Sequence, residues 1–508
     1  MSSSKNIRIF TTMLFSGIAF GISYLFNFFL APYITKHMGA DGYGFITLAR
    51  NFTNYAAILT TALNSYAARF ISVEYHKGNK NKANIYYSTV FYANLILVSA
   101  IMLVTVIGVI FLDKLLNIPP ELTQDTKKLF LMVFFAFSIT SVGTAYTASA
   151  YIKNRLDLTS VFKGVSYICE ALTIILLYLI LGPTLWFVGV GLTVAAIEIF
   201  ITNYTLTKRL TPDLQTKTNL FSKKAVKTLI VKGIWNSINS LGNTLNSGLD
   251  LIVCNLMLTP LAMGQLSYAK TIGIMFSTLY VLVAQPFQPI FLKIYSTGDN
   301  ESLVKELKYS MKVAGFLSGL AFAGFIALGK FYFRLWIPSQ DTELIYILTI
   351  ITIGSSLGEG VVCPLYYIYT LTVKNKVPCF VTIAGGIANV LGMYFLIKYT
   401  YMGVIAVVVT TFVIMSVINM IFNPLYSAKC LKIPLETFFP NIFRHLISCG
   451  IMTGVFISLA KIMPQHGWLS LIVAAVLDCV IGFIIQLIVV FDKSERIKLV
   501  KIIQKKYA

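Results

Sequence analysis

The feature that most constrains this chain is a series of apolar runs, each long enough to cross a lipid bilayer. An α-helix needs about 20 apolar residues to span the hydrocarbon core. Fourteen such runs lie near residues 9–35, 44–73, 84–112, 127–152, 158–181, 184–206, 229–258, 264–294, 310–332, 342–372, 378–398, 401–427, 441–462 and 468–491. The sequence therefore predicts an all-α polytopic membrane protein with about 14 transmembrane helices.

Composition and charge agree with this class. The 508 residues are 57% hydrophobic and 12% charged, and no segment is long and polar enough for a soluble domain. The formal net charge of +21 comes mostly from loop residues, and one side of the predicted membrane holds more than three times as many of them as the other. The positive-inside rule then places both termini in the cytoplasm and explains the charge without a nucleic-acid partner.

The chain also repeats itself at an offset of about 219 to 220 residues. When the stretch GFITLARNFTNYAAI from Gly44 is placed over GQLSYAKTIGIMFST from Gly264, Arg50 aligns with Lys270. Further matches are Tyr75 with Tyr295, Gly78 with Gly298, and LLNIP at 115–119 with RLWIP at 334–338. The repeat unit holds six helices, an even number, so both copies have the same orientation in the membrane.

The repeat predicts the domain organisation. We expect one six-helix lobe at residues 1–206, a basic cytoplasmic linker at 207–228 and a second six-helix lobe at 229–427. Two additional helices and a basic cytoplasmic tail make up 428–508.

Charged residues inside the predicted spans are candidates for function, because each costs about 2.5–3.5 kcal/mol at the bilayer centre on insertion scales. Arg50 and Lys270 lie about 10 Å inside the outer ends of their helices. Their matched positions favour a shared cavity that binds an anion, and arginine favours phosphate through bidentate hydrogen bonds. The alternative is that both side chains reach the outer headgroups.

Two further basic residues lie nearer the cytoplasmic side. Arg69 could contact substrate, reach the headgroups or pair with Glu74. Lys163 and Glu170 are seven residues apart on one helix face, which favours an internal ion pair, with a role in the inner half of the cavity as the alternative.

A polar stripe is predicted on the seventh span. Asn239, Asn243, Asn246 and Asp250 are spaced by four, three and four residues, so they share one face of a helix. We interpret this face as the lining of a polar cavity. Close helix packing through the small residues of the same stretch is the alternative.

Acids and prolines give candidates for coupling and gating. Burial raises the pKa of a carboxyl, so Asp250, Glu359 and Glu198 are candidates to carry H⁺ or Na⁺ across the membrane; a structural hydrogen bond is the alternative. Asp478 lies in an appended span, where we expect a structural role. Pro286 and Pro289 predict a bend in the eighth span.

The absence of several motifs argues against catalysis. The sequence has no GxxxxGK[ST], no HExxH and no CxxC, and its four histidines are isolated. The 7 cysteines are scattered in or beside apolar segments, as expected of packing residues. We expect no enzyme activity, no metal and no cofactor.

Four stretches together resemble a known family. They are APYITKHMGADGYGFITLARNFTNYAAI with ARFIS at the end of the same predicted helix, LSYAKTIG, and VKNKVPCFVTIAGGIANVLGMYFLI. These are similar to Wzx-type polysaccharide and O-antigen flippases of the multidrug/oligosaccharidyl-lipid/polysaccharide (MOP) exporter superfamily. The resemblance covers nearly the whole chain.

The resemblance implies two MATE-like, pseudo-symmetric lobes around a central cavity that opens to either side in turn. It also implies transport of an undecaprenyl-pyrophosphate-linked oligosaccharide across the bacterial cytoplasmic membrane. Related lipid II flippases carry basic cavity residues in the second and eighth helices, which Arg50 and Lys270 match, and an acid in the first outer loop, which Asp41 matches. Those relatives also have arginines in the first helix, where this chain has Asn27, and this difference argues against lipid II.

The first hypothesis is therefore a lipid-linked oligosaccharide flippase for an O-antigen, capsule or similar repeat unit. The alternatives are a cation-coupled multidrug exporter, a lipid II flippase, and a membrane scaffold or glycosyltransferase. Expected partners are the lipid-linked oligosaccharide, membrane lipids, a glycan polymerase and a chain-length regulator. We expect a monomer.

Overall fold

The computed structural model describes residues 2–493, 495 and 496; for residues 2–14 and 282 it describes the backbone only. Within these residues the chain is helical and has no strand. The first half contains α1 (Ser2–Asn64), α2 (Ala67–His76), α3 (Lys80–Ile110), α4 (Leu112–Leu115), α5 (Thr123–Gly143), α6 (Ala148–Ile152), α7 (Leu156–Leu181), α8 (Trp186–Leu210), α9 (Lys223–Ser247) and α10 (Asp250–Met257).

The second half of the chain begins with α11. It contains α11 (Pro260–Ala284), α12 (Gln288–Ser296), α13 (Asn300–Trp336), α14 (Thr342–Val362), α15 (Tyr366–Leu371), α16 (Lys376–Tyr399), α17 (Val404–Val417), α18 (Asn423–Leu431), α19 (Phe439–Ile462) and α20 (Gly467–Val489).

Twelve helical segments of the described chain are long and apolar enough to cross a membrane. One of them, Phe15–His76, has 62 residues and a mid-chain kink at Gly39, whose φ is 72°. At 1.5 Å per residue it is about 90 Å long, enough for two spans of a 30 Å hydrocarbon core. The more polar α9 with α10 supplies a further segment, so the prediction of about 14 helices is consistent with the structure.

Local geometry repeats at the offset seen in the sequence. Gly78 and Gly298 both have positive φ, at 78° and 76°, a conformation that glycine adopts without steric cost. The next residues, Asn79 and Asp299, cap α3 and α13 by accepting a backbone N–H three residues on. Two pseudo-symmetric six-helix repeats followed by two helices are thus present.

Breaks in the helices repeat as well. The 3₁₀ turn Thr144–Thr147 matches the 3₁₀ turn Cys363–Leu365 in the second repeat. Another 3₁₀ turn, Gln285–Phe287, separates α11 from α12 where Pro286 and Pro289 predict a bend. Proline removes a backbone donor, so the α-helical hydrogen bonds cannot run through this point. A role of the two prolines in gating stays a prediction.

Internal packing divides the chain into two compact units. The first unit consists of Met1–Thr244 and Leu251–Gly264, and the second of Leu245–Asp250 and Gln265–Ala508. Each has a buried core, formed in the first unit by residues such as Leu63, Ile71, Tyr87, Val90 and Leu229, and in the second by residues such as Phe291, Leu307, Val362, Leu365 and Phe438. The four-part division expected from the sequence stays a prediction.

The linker between the repeats is fixed to α3 in the first unit. Asn84 donates to the carbonyl oxygen of Asp213 and accepts from the backbone of Gln215. Ser88 donates to the carbonyl of Gln215 and accepts from the backbone of Lys217. These four hydrogen bonds give the polar linker a defined path over the end of α3.

Candidate functional site

Arg50 lies in α1, beyond the kink at Gly39. Its Nη2 donates to Oε1 of Glu170 on α7 at 3.0 Å, and its Nη1 lies 3.4 Å from Oδ1 of Asn27. The Glu170 side chain is 8% exposed, whereas 35% of the Arg50 side chain remains exposed. A buried carboxylate therefore holds the guanidinium, while about a third of the arginine side chain stays accessible.

Lys270 occupies the matching position in α11 of the second unit. Its ammonium forms an ion pair with Asp250, the first residue of α10. Asp250 is 1% exposed and Lys270 is 12% exposed. A buried ion pair offsets the cost of placing either charge in a low-dielectric region, so the lysine does not face lipid as an isolated charge.

The two units hold their cations with acids from different helices. Arg50 and Lys270 share one repeat position, but Glu170 comes from the fifth helix of its repeat and Asp250 from the first. The position that matches Glu170 at an offset of 219 is Asn389, on α16. The cation lies at the same position in both repeats, whereas the acid that pairs with it lies on a different helix in each.

Asn389 belongs to a polar cluster that the sequence analysis missed. Its Nδ2 donates to the backbone oxygen of Asn246 at 2.6 Å and to the Thr411 hydroxyl at 3.2 Å. Asn246 in turn donates to the backbone oxygen of Thr382. The sequence signal that could have identified this cluster is Asn389 itself, an asparagine inside an apolar span at the position that matches Glu170.

The four residues of the predicted polar stripe do not lie on one continuous helix and differ in exposure. Asn239 and Asn243 are exposed, whereas Asn246 and Asp250 are buried. Helix α9 ends at Ser247, and Asp250 begins the next helix. The regular spacing assumed one uninterrupted helix, whereas the break after Ser247 places Asp250 at the start of a separate helix. Whether these residues line a cavity stays a prediction.

The predicted ion pair between Lys163 and Glu170 is wrong, and the pair between Arg69 and Glu74, one of three alternatives for Arg69, is not formed. Glu170 pairs with Arg50 and not with Lys163, because α1 packs against α7 and places the Arg50 guanidinium beside the carboxylate. Glu74 pairs with Lys82 at 3.1 Å and with Lys77 at 4.0 Å, and not with Arg69. Lys163 and Arg69 are both exposed.

The remaining predicted site residues are separate from the two ion pairs. Glu359 on α14 accepts a 3.4 Å hydrogen bond from Ser277. Within the described part of the chain, one buried carboxylate oxygen each of Glu198 and Asp478 has no hydrogen-bond partner. Asp41 is partly buried and lies two residues after the Gly39 kink.

Comparisons with known proteins agree with this architecture. The profile of the family described as polysaccharide biosynthesis protein matches residues 10–295, more than half of the chain. The membrane protein EpsK of Bacillus subtilis (strain 168), described as uncharacterized, is 28% identical over 480 residues, covering 94% of each chain.

Solved structures show the same fold. An inward closed conformation of the lipid II flippase MurJ matches with a TM-score of 0.73 and 16% identity, covering 94% of this chain and 98% of that one. An inward-facing multidrug resistance MATE family transporter of the MOP superfamily matches with a TM-score of 0.64 and 14% identity, covering 84% and 99%. The chain is a multi-pass membrane protein that belongs to the polysaccharide biosynthesis protein family.

Proposed function

We propose that this protein flips an undecaprenyl-pyrophosphate-linked oligosaccharide, such as an O-antigen or capsule repeat unit, across the bacterial cytoplasmic membrane. The observation that carries the proposal is the pair of matched cations, Arg50 and Lys270, each held inside its unit by one carboxylate. A pyrophosphate has several negative charges and needs more than one cation in a region of low dielectric.

The ion pairs suggest how the headgroup is bound. Arg50 is pre-positioned by Glu170 and Asn27, and 35% of its side chain is exposed. Its planar guanidinium presents parallel donors that match phosphate oxygens. A pyrophosphate that shares Arg50 with Glu170 leaves both the guanidinium and the buried carboxylate paired, so binding does not require an isolated charge in the membrane.

We further propose that the two repeats give access to the binding site from either side in turn, with both termini in the cytoplasm. Glu359 is the best candidate for H⁺ or Na⁺ coupling, followed by Glu198, because Lys270 already neutralises Asp250. The lipid tail stays in the bilayer. A glycan polymerase and a chain-length regulator are the expected protein partners, and no cofactor is required.

The test is export of surface glycan in a deletion strain complemented with variants of the gene. Arg50→Glu and Lys270→Glu are expected to abolish export while the protein remains in the membrane. Lys330→Glu is the matched control, because Lys330 belongs to an exposed ion pair with Glu343. Full export by both Arg50→Glu and Lys270→Glu would contradict the proposal.

A cation-coupled multidrug exporter is the second candidate, supported by the buried acid Asp250 and the partly buried acid Glu359. Such a pump needs acids that are free to accept a cationic drug, whereas Asp250 already has an ammonium partner. Increased drug susceptibility of the deletion strain with normal surface glycan would favour this alternative. A lipid II flippase is less well supported, because Asn27 contributes an amide where those relatives have arginines.

A further inference from the structure

A cavity in the first unit lies apart from the Arg50–Glu170 pair. It has a volume of about 270 Å³ and is lined by residues of α2, α6, α7 and α8 and of the 3₁₀ turn before α6. The residues that define its chemistry are Thr147, Tyr151, Thr159, Phe162, Lys163 and Asn203. Lys163 precedes Glu170 by seven residues on α7, so the cavity lies about 10 Å along that helix from the ion pair.

The cavity contains one cation and a buried acceptor without a donor. The Lys163 ammonium takes part in no ion pair within the described residues. The acids of the same helix, Asp157 and Glu170, pair with Arg155 and Arg50. Asn203 is only 6% exposed, and its Oδ1 has no hydrogen-bond partner among the residues that the structure describes. A buried polar atom without a partner destabilises the fold, and a ligand donor can satisfy it.

Other groups in the cavity are acceptors as well. The Thr147 hydroxyl donates its hydrogen to the carbonyl oxygen of Thr144, and the Thr159 hydroxyl donates to that of Leu156. Their oxygen lone pairs therefore remain available to a ligand. A ligand that satisfies this site presents several O–H donors together with one negative charge.

The apolar part of the cavity fits the same kind of ligand. Phe162 and Tyr151 line the cavity, and Tyr151 is 50% exposed. An aromatic ring can cover the apolar C–H face of a pyranose, while the hydroxyls around the sugar ring point outward to polar partners. The volume is just below the usual range of ligand pockets, about 300–1,000 Å³, so the cavity holds about one sugar.

We propose that this cavity binds a glycosyl phosphate, with sugar hydroxyls donating to Asn203 and the two threonines and a phosphate oxygen bound by Lys163. The proposal rests on the proposed function for the source of the ligand, which is the sugar-phosphate head of the lipid-linked glycan. The cavity lies at the end of the unit that carries the basic loop at 153–155, where positive charge indicates the cytoplasmic side. It is a first binding position from which the head moves on to Arg50.

The test uses the full chain in lipid nanodiscs and saturation-transfer NMR with glucose 1-phosphate, galactose 1-phosphate and N-acetylglucosamine 1-phosphate. We expect transfer to the ring protons of at least one probe, reduced at least fivefold by Lys163→Gln and by Asn203→Leu. Lys153→Gln is the control, because Lys153 lies on the same basic loop but stacks over Tyr75. Lys163 is exposed, so its variant keeps the test valid even if Asn203→Leu does not fold.

Equal binding by Lys163→Gln and the unmodified protein overturns the proposal. So does binding of sn-glycerol 3-phosphate as strong as that of the sugar phosphates, which would indicate a site for phospholipid headgroups. The proposed function is tested separately by glycan export. Export that depends on Arg50 without any sugar-phosphate binding would reject this site alone, whereas binding without an export defect in the deletion strain would reject the proposed function alone.

Discussion

The Nη2 atom of Arg50 lies 3.0 Å from Oε1 of Glu170, although 120 residues separate them in the chain. The matching cation of the second unit, Lys270, is paired with an acid from a different helix of its repeat. The positions of the cations are thus common to both repeats, whereas the positions of the acids are not. This difference is consistent with our proposal that the cations bind the substrate and that the acids serve to hold them.

A charge swap separates these two roles. Arg50→Glu alone places two carboxylates together, and we expect a lower melting temperature and no export. The double variant Arg50→Glu/Glu170→Arg restores the ion pair and should recover most of the thermal stability, but not glycan export, because the guanidinium now comes from α7. Full export by the double variant would show that only the pair, and not the position of its cation, is required.

Removing Asp250, the acid of a buried ion pair, should cost more stability than removing the acid of an exposed ion pair. Asp250→Asn leaves the nearly buried Lys270 ammonium without a counter-charge, and breaking a buried pair typically costs about 3–5 kcal/mol. Glu343→Gln removes the acid of an exposed pair, for which about 0–1 kcal/mol is expected. Thermal unfolding of both purified variants measures the difference. Equal melting temperatures would mean that Asp250 and Lys270 are not paired in the folded protein.

Close packing at a repeat position gives another stability test. A Cβ added to Gly264 would lie 2.3 Å from the carbonyl oxygen of Ala40, and both residues are in the first unit. Because backbone atoms cannot move aside locally, Gly264→Ala should destabilise the protein by about 1–3 kcal/mol. Gly454→Ala is the matched control, since a Cβ at Gly454 meets nothing within 4 Å. The melting temperature should fall in the first variant and stay constant or rise in the second.

Much of the fold could be predicted from the sequence because its signals are local or periodic. Runs of 20 apolar residues identify spans without knowledge of their neighbours. The offset of 220 residues between Arg50 and Lys270 identifies the repeat, and matched glycines such as Gly78 and Gly298 then have matched conformations. These features depend on spacing along the chain alone.

The partners of the charged residues could not be predicted in the same way. Lys163 and Glu170 share a helix face, yet Glu170 binds Arg50 because α1 packs beside α7 in the folded unit. A two-residue break after Ser247 likewise changes the geometry of a stripe with perfect helical spacing. Contacts of this kind depend on tertiary packing, which a single sequence does not display.

Proton coupling through Glu359 predicts a dependence of transport on the pH gradient. The Glu359 carboxyl group accepts one hydrogen bond, from Ser277. In the proposed coupling, this carboxyl group binds a proton and releases it during transport. In proteoliposomes an imposed pH gradient should accelerate flipping of a fluorescent lipid-linked glycan, and Glu359→Gln should remove the acceleration. Glu343→Gln is the control. An unchanged response in Glu359→Gln would exclude this residue from coupling.

The last prediction concerns the end of the described chain, where stability should depend on pH. The buried Lys312 ammonium donates to Asp492 at 2.8 Å and to Glu495 at 2.7 Å. The hydrogen bond from Lys312 holds the pKa of Asp492 below its usual range, assisted by Arg444. Because the folded-state pKa is depressed, the contribution is present above the unfolded pKa, about 3.9, and is lost as the pH falls through the folded value.

Asp492→Asn should therefore lower the melting temperature at pH 7, and the gap from the unmodified protein should close as the pH falls below about 4. The effect is small, about 1 kcal/mol or less, because 57% of the Asp492 side chain is exposed and solvent screens the pair. The double variant Lys312→Met/Asp492→Asn lacks the linkage at Asp492 and should show a flatter pH profile. A gap between Asp492→Asn and the unmodified protein that is constant from pH 7 to pH 3 would contradict the ion pair.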